Sequence, residues 1–253
     1  MSTPTSKKRI LMVLPNKDFD VTETSVPWHI FTKAGLKVDF CTGHGLPGEC
    51  DSLLLTGVIF GQLGAAKEAK QFYHEMCESP EFKNPKKYSE TDFMEYDALL
   101  LPGGHAQGMK QYLEDTVIRD KLIPFISNKS KVVGAICHGT VVLARAIDPS
   151  TGKSLLYHRK STCLLKYMEK TAYFITAWKL GRYYRTYQIY VEDEIREAMS
   201  DPQHQFQAGT RNLCGSLDEQ YAYVCEDENY VSARWPGDAY LFAHTILAKI
   251  SNL

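Results

Sequence analysis

This chain has almost no net charge: 29 Lys and Arg stand against 30 Asp and Glu, giving −1 at neutral pH. No basic field is available to hold nucleic acid or an anionic membrane. No apolar run approaches the ~20 residues that cross a bilayer, so no membrane partner is expected. The seven cysteines are irregularly spaced and form no Cys-x-x-Cys pair, which argues against a zinc site and predicts no bound metal. No Gly-rich phosphate loop or dinucleotide fingerprint occurs, so no cofactor is expected. No linker rich in Gly, Ser or Pro and no internal repeat divides the 253 residues. The start, MSTPTSKKR, lacks an apolar core, so no secretory signal is expected and the thiols read as reduced and cytoplasmic.

What is present alternates. Apolar runs at Arg9–Leu14, Lys37–Cys41, Tyr96–Pro102, Lys131–Ile136 and Tyr230–Arg234 read as strands. Between them lie helical patterns. One is at Val26–Ala34, with Pro27 in its first turn and Gly35 as its stop, and another is at Asp238–Ile250. This rhythm predicts an α/β fold with a doubly wound, mostly parallel sheet covered by helices. Two segments are too long for simple connections, about 42–95 and 161–199. The first predicts a helix at Ala65–Met76 and a loop at SPEFKNPKKYSE. The second is rich in Tyr and Trp. Its aromatics alternate with Lys179, Arg182 and Arg185, as a base-stacking platform would, but the absence of net positive charge rejects that reading. A lid or a subunit contact is expected there instead. The expectation is one domain over 1–253 with two insertions.

The most informative stretch is Val132–Ile147, VVGAICHGTVVLARAI. A β-branched run enters Cys137, and a helical pattern leaves it. A strand turning sharply into a helix at a cysteine is a nucleophile elbow, and the small Ala135 and Gly139 suit the tight crossing. The helix start should favour thiolate there, and His138 can serve as base or cationic neighbour. Upstream, Gly103, Gly104 and His105 follow an apolar strand. Two glycines there form either a plain turn or, with the amide of His138, an oxyanion hole, and His105 either lines the site or lies at the surface.

AICHG, the upstream LLLPGGH and the late SARWPGD together resemble the PfpI/ThiJ superfamily over nearly the whole chain. The long insertion after the second strand resembles the larger branch, which holds glutathione-independent glyoxalases and heat-shock chaperones. The resemblance implies a flavodoxin-like sandwich, a glutamate aimed at the thiol (Glu23, four residues before Pro27), an acid orienting His138 (Glu169, in KYMEK), and a homodimer. Asp148 and Asp238 are the other acids to test for His138, although Asp238 also reads as the cap of the last helix. The resulting expectation is a cysteine-dependent enzyme acting on a small carbonyl such as methylglyoxal, converting a 2-oxoaldehyde to a 2-hydroxy acid. A Cys–His–acid hydrolase or peptidase is the alternative enzyme, and a stress chaperone or redox sensor is the alternative outside catalysis.

Overall fold

The computed structural model describes residues 8–59, 62–211 and 219–253; Cys214 lies outside them. Seven strands form the main sheet: β1 (Arg9–Val13), β2 (Lys37–Thr42), β3 (Lys86–Lys87), β4 (Ala98–Leu101), β5 (Val132–Ile136), β6 (Val224–Asp227) and β7 (Tyr230–Ala233). Their order is β6-β7-β5-β4-β1-β2-β3, with every pair parallel except β6–β7. β4 and β5 lie in the middle and are buried at every residue. A strand covered on both faces has no wet side, which is why ALLL and VVGAI show no alternation. The edge strand β3 is two exposed lysines, a charge device that discourages further pairing.

Helix α1 (Val21–Lys33) packs against α2 (Lys67–Glu78) and the C-terminal α3 (Ala239–Ser251). This corrects two expectations. Asp20 accepts hydrogen bonds from Thr22 N and Glu23 N, so α1 starts five residues before Val26. Pro27 consequently sits inside the helix and not in its first turn. With no N–H of its own, it leaves the Glu23 carbonyl without the usual partner four residues on. Gly35, at φ 80°, ends the helix as expected.

The segment read as a loop after α2 contributes β3 to the sheet, with Cys41 opposite Lys86 and Thr42 opposite Lys87. It was illegible because two lysines carry no strand periodicity. The segment VCED likewise gave no strand signal, yet it forms β6. Asp238 does not cap α3 through its side chain. Fully buried, its carboxylate instead accepts from Arg234 Nε (2.9 Å), Arg234 Nη2 (2.8 Å) and Tyr223 N (2.9 Å). The second insertion holds the helices Lys166–Leu180 and Val191–Glu197. Phe174 and Trp178 of the first point into solvent, 83% and 68% exposed. Among the described residues no helix is long and apolar enough to cross a membrane.

Candidate active site

Strand β5 ends at Ile136 and leads directly into Cys137, whose φ is 56°. A non-glycine residue in the left-handed region stores strain of order 1–3 kcal/mol, and such strain clusters at functional turns. The turn is held shut from both sides. Thr140 Oγ1 donates to the Cys137 carbonyl at 2.7 Å. A side chain on Gly139 would lie 2.1 Å from the Leu101 carbonyl oxygen, so β4 leaves room only for glycine there. The elbow read from the sequence is present, with Cys137 and His138 both buried.

Three groups surround the thiol. His138 Nδ1 lies 3.5 Å from Sγ. The backbone amide of His138 lies close enough to favour the sulfur's charge. Glu23, reaching from the first turn of α1, sets its carboxyl beside the thiol, with Oε1 buried and making no hydrogen bond of its own. The other half of that carboxyl is fixed, because Gly103 N donates to Oε2 at 2.8 Å. Asp20-Val-Thr-Glu23 has the spacing of a capping box, in which Glu23 would fold back on the Asp20 N–H. Here the Asp20 N–H goes to the Gly103 carbonyl (2.8 Å) and Glu23 takes the Gly103 N–H, so the backbone of Gly103 replaces the box and aims Glu23 at the sulfur. This removes Gly103 from the expected oxyanion hole, since its N–H is already engaged. Gly104 is packed against the Asp18 carbonyl, which a side chain there would meet at 2.3 Å.

The electrostatics correct a further expectation. Burial, then the neighbouring Glu23 and Asp20 carboxyls, push the Cys137 thiol up, against the opposing pull of the His138 amide. Burial and Asp20 likewise push Glu23 well above the usual carboxylate range. Glu23 and Cys137 cannot both ionise unaided in this dry setting, so the pair retains a proton. The three-residue 3₁₀ turn Cys137–Gly139 and the six-residue helix after it do not outweigh that cost. His138 is held neutral, chiefly by burial and then by His105, and burial alone lowers His105 to about 4.

Among the described residues no acid orients His138. Glu169 instead accepts from Arg185 Nη1 (2.9 Å) and Val191 N (3.0 Å). Asp148 is spent on Ser150, and Asp238 on Arg234. The partner of His138 Nε2 is Thr186 Oγ1, at 3.3 Å. Thr186 also donates its single hydroxyl proton to the His105 carbonyl oxygen. It can then only accept from His138, which places the ring proton on Nε2 and turns the Nδ1 lone pair toward the thiol. Thr186 was missed because nothing in RYYRTY marks it; only the fold brings it to His138.

The Tyr-rich insertion covers this site. The Tyr184 ring meets His105 edge-on, with centroids 5.7 Å apart. Gln107 Nε2 donates to the Arg185 carbonyl at 2.7 Å. Tyr183 and Tyr184 both donate to Asp51, at 3.0 and 3.1 Å. Asp51 belongs to the first insertion, so the two insertions meet beside His105. A surface cleft of about 550 Å³, lined by Lys153, Tyr157 and Arg159, contains none of Glu23, Cys137 and His138. A cavity of about 320 Å³ between Leu54, Ala65 and Trp235 does reach Asp20, three residues from Glu23.

Known proteins resemble this chain in sequence and in fold. A family model described as ThiJ/PfpI family-like matches residues 14–210. An uncharacterized protein of Schizosaccharomyces pombe is 26% identical over 251 residues, 96% of this chain and 84% of its own. A protein of the same yeast named as a glutathione-independent glyoxalase is 29% identical over 154 residues, 60% of this chain and 61% of its own. The crystal structure of glyoxalase III from Candida albicans superposes with a TM-score of 0.68 at 20% identity, covering 96% of this chain and 97% of that one; this likeness shows the fold.

Proposed function

The chain belongs to the ThiJ/PfpI-like family, and from that premise we propose that it is a cysteine-dependent, glyoxalase-like enzyme. Its substrate is a 2-oxoaldehyde of methylglyoxal size, and its product the corresponding 2-hydroxy acid. The observation that carries this reading is the thiol of Cys137, strained into position between a neutral His138 Nδ1 and a carboxyl pinned by Gly103.

The sequence of steps follows from those positions. His138 Nδ1 takes the thiol proton as sulfur attacks the aldehyde carbon, and returns it to the new oxyanion, giving a hemithioacetal. Glu23, the carboxyl beside the sulfur, moves the proton from C1 to C2 while the hydroxyl proton passes from the C1 oxygen to the C2 oxygen. The resulting thioester is cleaved by water, which restores the thiol, so the net change is addition of one water. The elevated proton affinity of Glu23 suits a group that must give back the proton it takes. The His138 N–H lies beside the sulfur and takes over from Gly103 the role of stabilising the oxyanion.

Glu169 is tied to Arg185 and no acid among the described residues meets His138, which disfavours the Cys–His–acid hydrolase. A holdase role draws support only from the exposed Phe174 and Trp178; suppression of client aggregation that survives Cys137→Ala would establish it. The test of the enzymatic reading is formation of lactate from methylglyoxal without glutathione. Wild type forms it, Cys137→Ala does not, and equal rates in the two would end the proposal.

A further inference from the structure

The thiol has a neighbour that the glyoxalase reading leaves idle. His105 stands edge-on to His138, ring centroids 4.9 Å apart. Its Nε2 is sealed from solvent and has no hydrogen-bond partner. An orphaned ring nitrogen in a buried site calls for an explanation, since nearly all such atoms are satisfied. One donor atom from each of His105, Cys137 and His138 lies within 4.8 Å of the other two.

We propose that these three residues form a site for a thiophilic cation, Zn²⁺, bound by the Cys137 sulfur and one ring nitrogen from each histidine. Tetrahedral zinc, with Zn–S ~2.3 Å and Zn–N ~2.0–2.1 Å, sets donors about 3.6 Å (S to N) and about 3.3 Å (N to N) apart. The sulfur and His138 Nδ1, at 3.5 Å, already have that spacing. The His105 nitrogen, within 4.8 Å of the other two donors, needs a shift of at most about 1.5 Å to complete three ligands around a fourth, open position. Thr186 supplies what a ligating histidine requires behind it: an oxygen on the far ring nitrogen that fixes the tautomer and presents Nδ1 as the donor. One thiolate with two imidazoles is a donor set suited to zinc and unsuited to the hard cations Mg²⁺ and Ca²⁺. The same sulfur cannot be both ligand and free nucleophile, so zinc switches the thiol off, and removing it restores reactivity. Binding itself does not depend on which reaction the thiol performs.

The experiment uses the full chain freed of metal with a chelator. Co²⁺ serves as optical probe and Zn²⁺ as competitor. One Co²⁺ per chain binds, with a thiolate-to-metal charge-transfer band in the near ultraviolet that stoichiometric Zn²⁺ abolishes. Cys137→Ser lacks the band. His105→Asn and, as a second variant should that one not fold, His105→Gln keep the thiol but lower zinc affinity at least about tenfold, since even outer partners of a ligand are worth 10–100-fold. Mg²⁺ at the same concentration produces no change. An absent band, a band that persists in Cys137→Ser, or unchanged affinity in a folded His105 variant overturns the proposal. Lactate formation is followed in parallel. Should wild type make no lactate yet bind cobalt through the thiol, the glyoxalase reading falls and the metal site stands.

Discussion

Gly103→Ala puts the argument for the site under the sharpest stress. A Cβ at Gly103 would stand 2.8 Å from Glu23 Oε2, 2.8 Å from His138 N and 2.9 Å from Cys137 Cβ. All three neighbours belong to the machinery, and ordinary contact begins near 3.4 Å. Each must retreat by about 0.6 Å, or Gly103 must withdraw and loosen its bond to Glu23. Overpacking of this kind costs roughly 1–3 kcal/mol of stability, with Tm falling ~2–4 °C per kcal/mol in a chain this long. The catalytic loss is larger in proportion. Displacing aligned reacting groups by about 1 Å costs ~100-fold, so kcat/KM should drop by about 10- to 100-fold while most of the protein stays folded. The assay is lactate formation, with a thermal melt and the iodoacetamide rate at Cys137 measured on the same samples. A folded Gly103→Ala protein with kcat/KM and alkylation rate both within threefold of wild type would refute the claim that this glycine sets the Glu23–Cys137 geometry.

Three further outcomes are expected. Thr186→Val removes the acceptor for His138 Nε2–H, so kcat should fall about tenfold with KM little changed, and Thr186→Ser should restore it; equal kcat in the valine and wild-type proteins contradicts the tautomer argument. Burial raises Asp20 from 3.8 to about 6, so the folded state holds its proton more tightly than the unfolded state. That contribution is present below pH ~4 and lost as pH rises to about 6, a swing of ~3 kcal/mol. Asp20→Asn keeps the helix cap and should flatten the dependence in urea titrations; parallel wild-type and variant curves count against it. Arg234→Met strands the fully buried Asp238 carboxylate and should cost about 3–5 kcal/mol in urea unfolding, whereas Arg234→Met with Asp238→Leu should recover most of it.

The sequence carried the parts of this protein that are set locally. Continuous apolar runs announced β1, β4 and β5, because strands buried on both faces tolerate nothing else. Gly139 and Cys137 announced the elbow, because the backbone crossing excludes any larger residue at 139. The tertiary structure decided everything that depends on side chains meeting across elements. Glu169 went to Arg185 rather than His138, because a guanidinium and a backbone N–H already satisfied it on its own insertion. Thr186 became the partner of His138, and Asp51 the anchor of Tyr183 and Tyr184, across 48 and more than 130 positions of chain. No periodicity records such distances. The thiol's acidity was decided in the same way. A helix start alone favours thiolate, but the fold buries Cys137 beside two carboxyls, and desolvation with like charge outweighs a short helix's dipole.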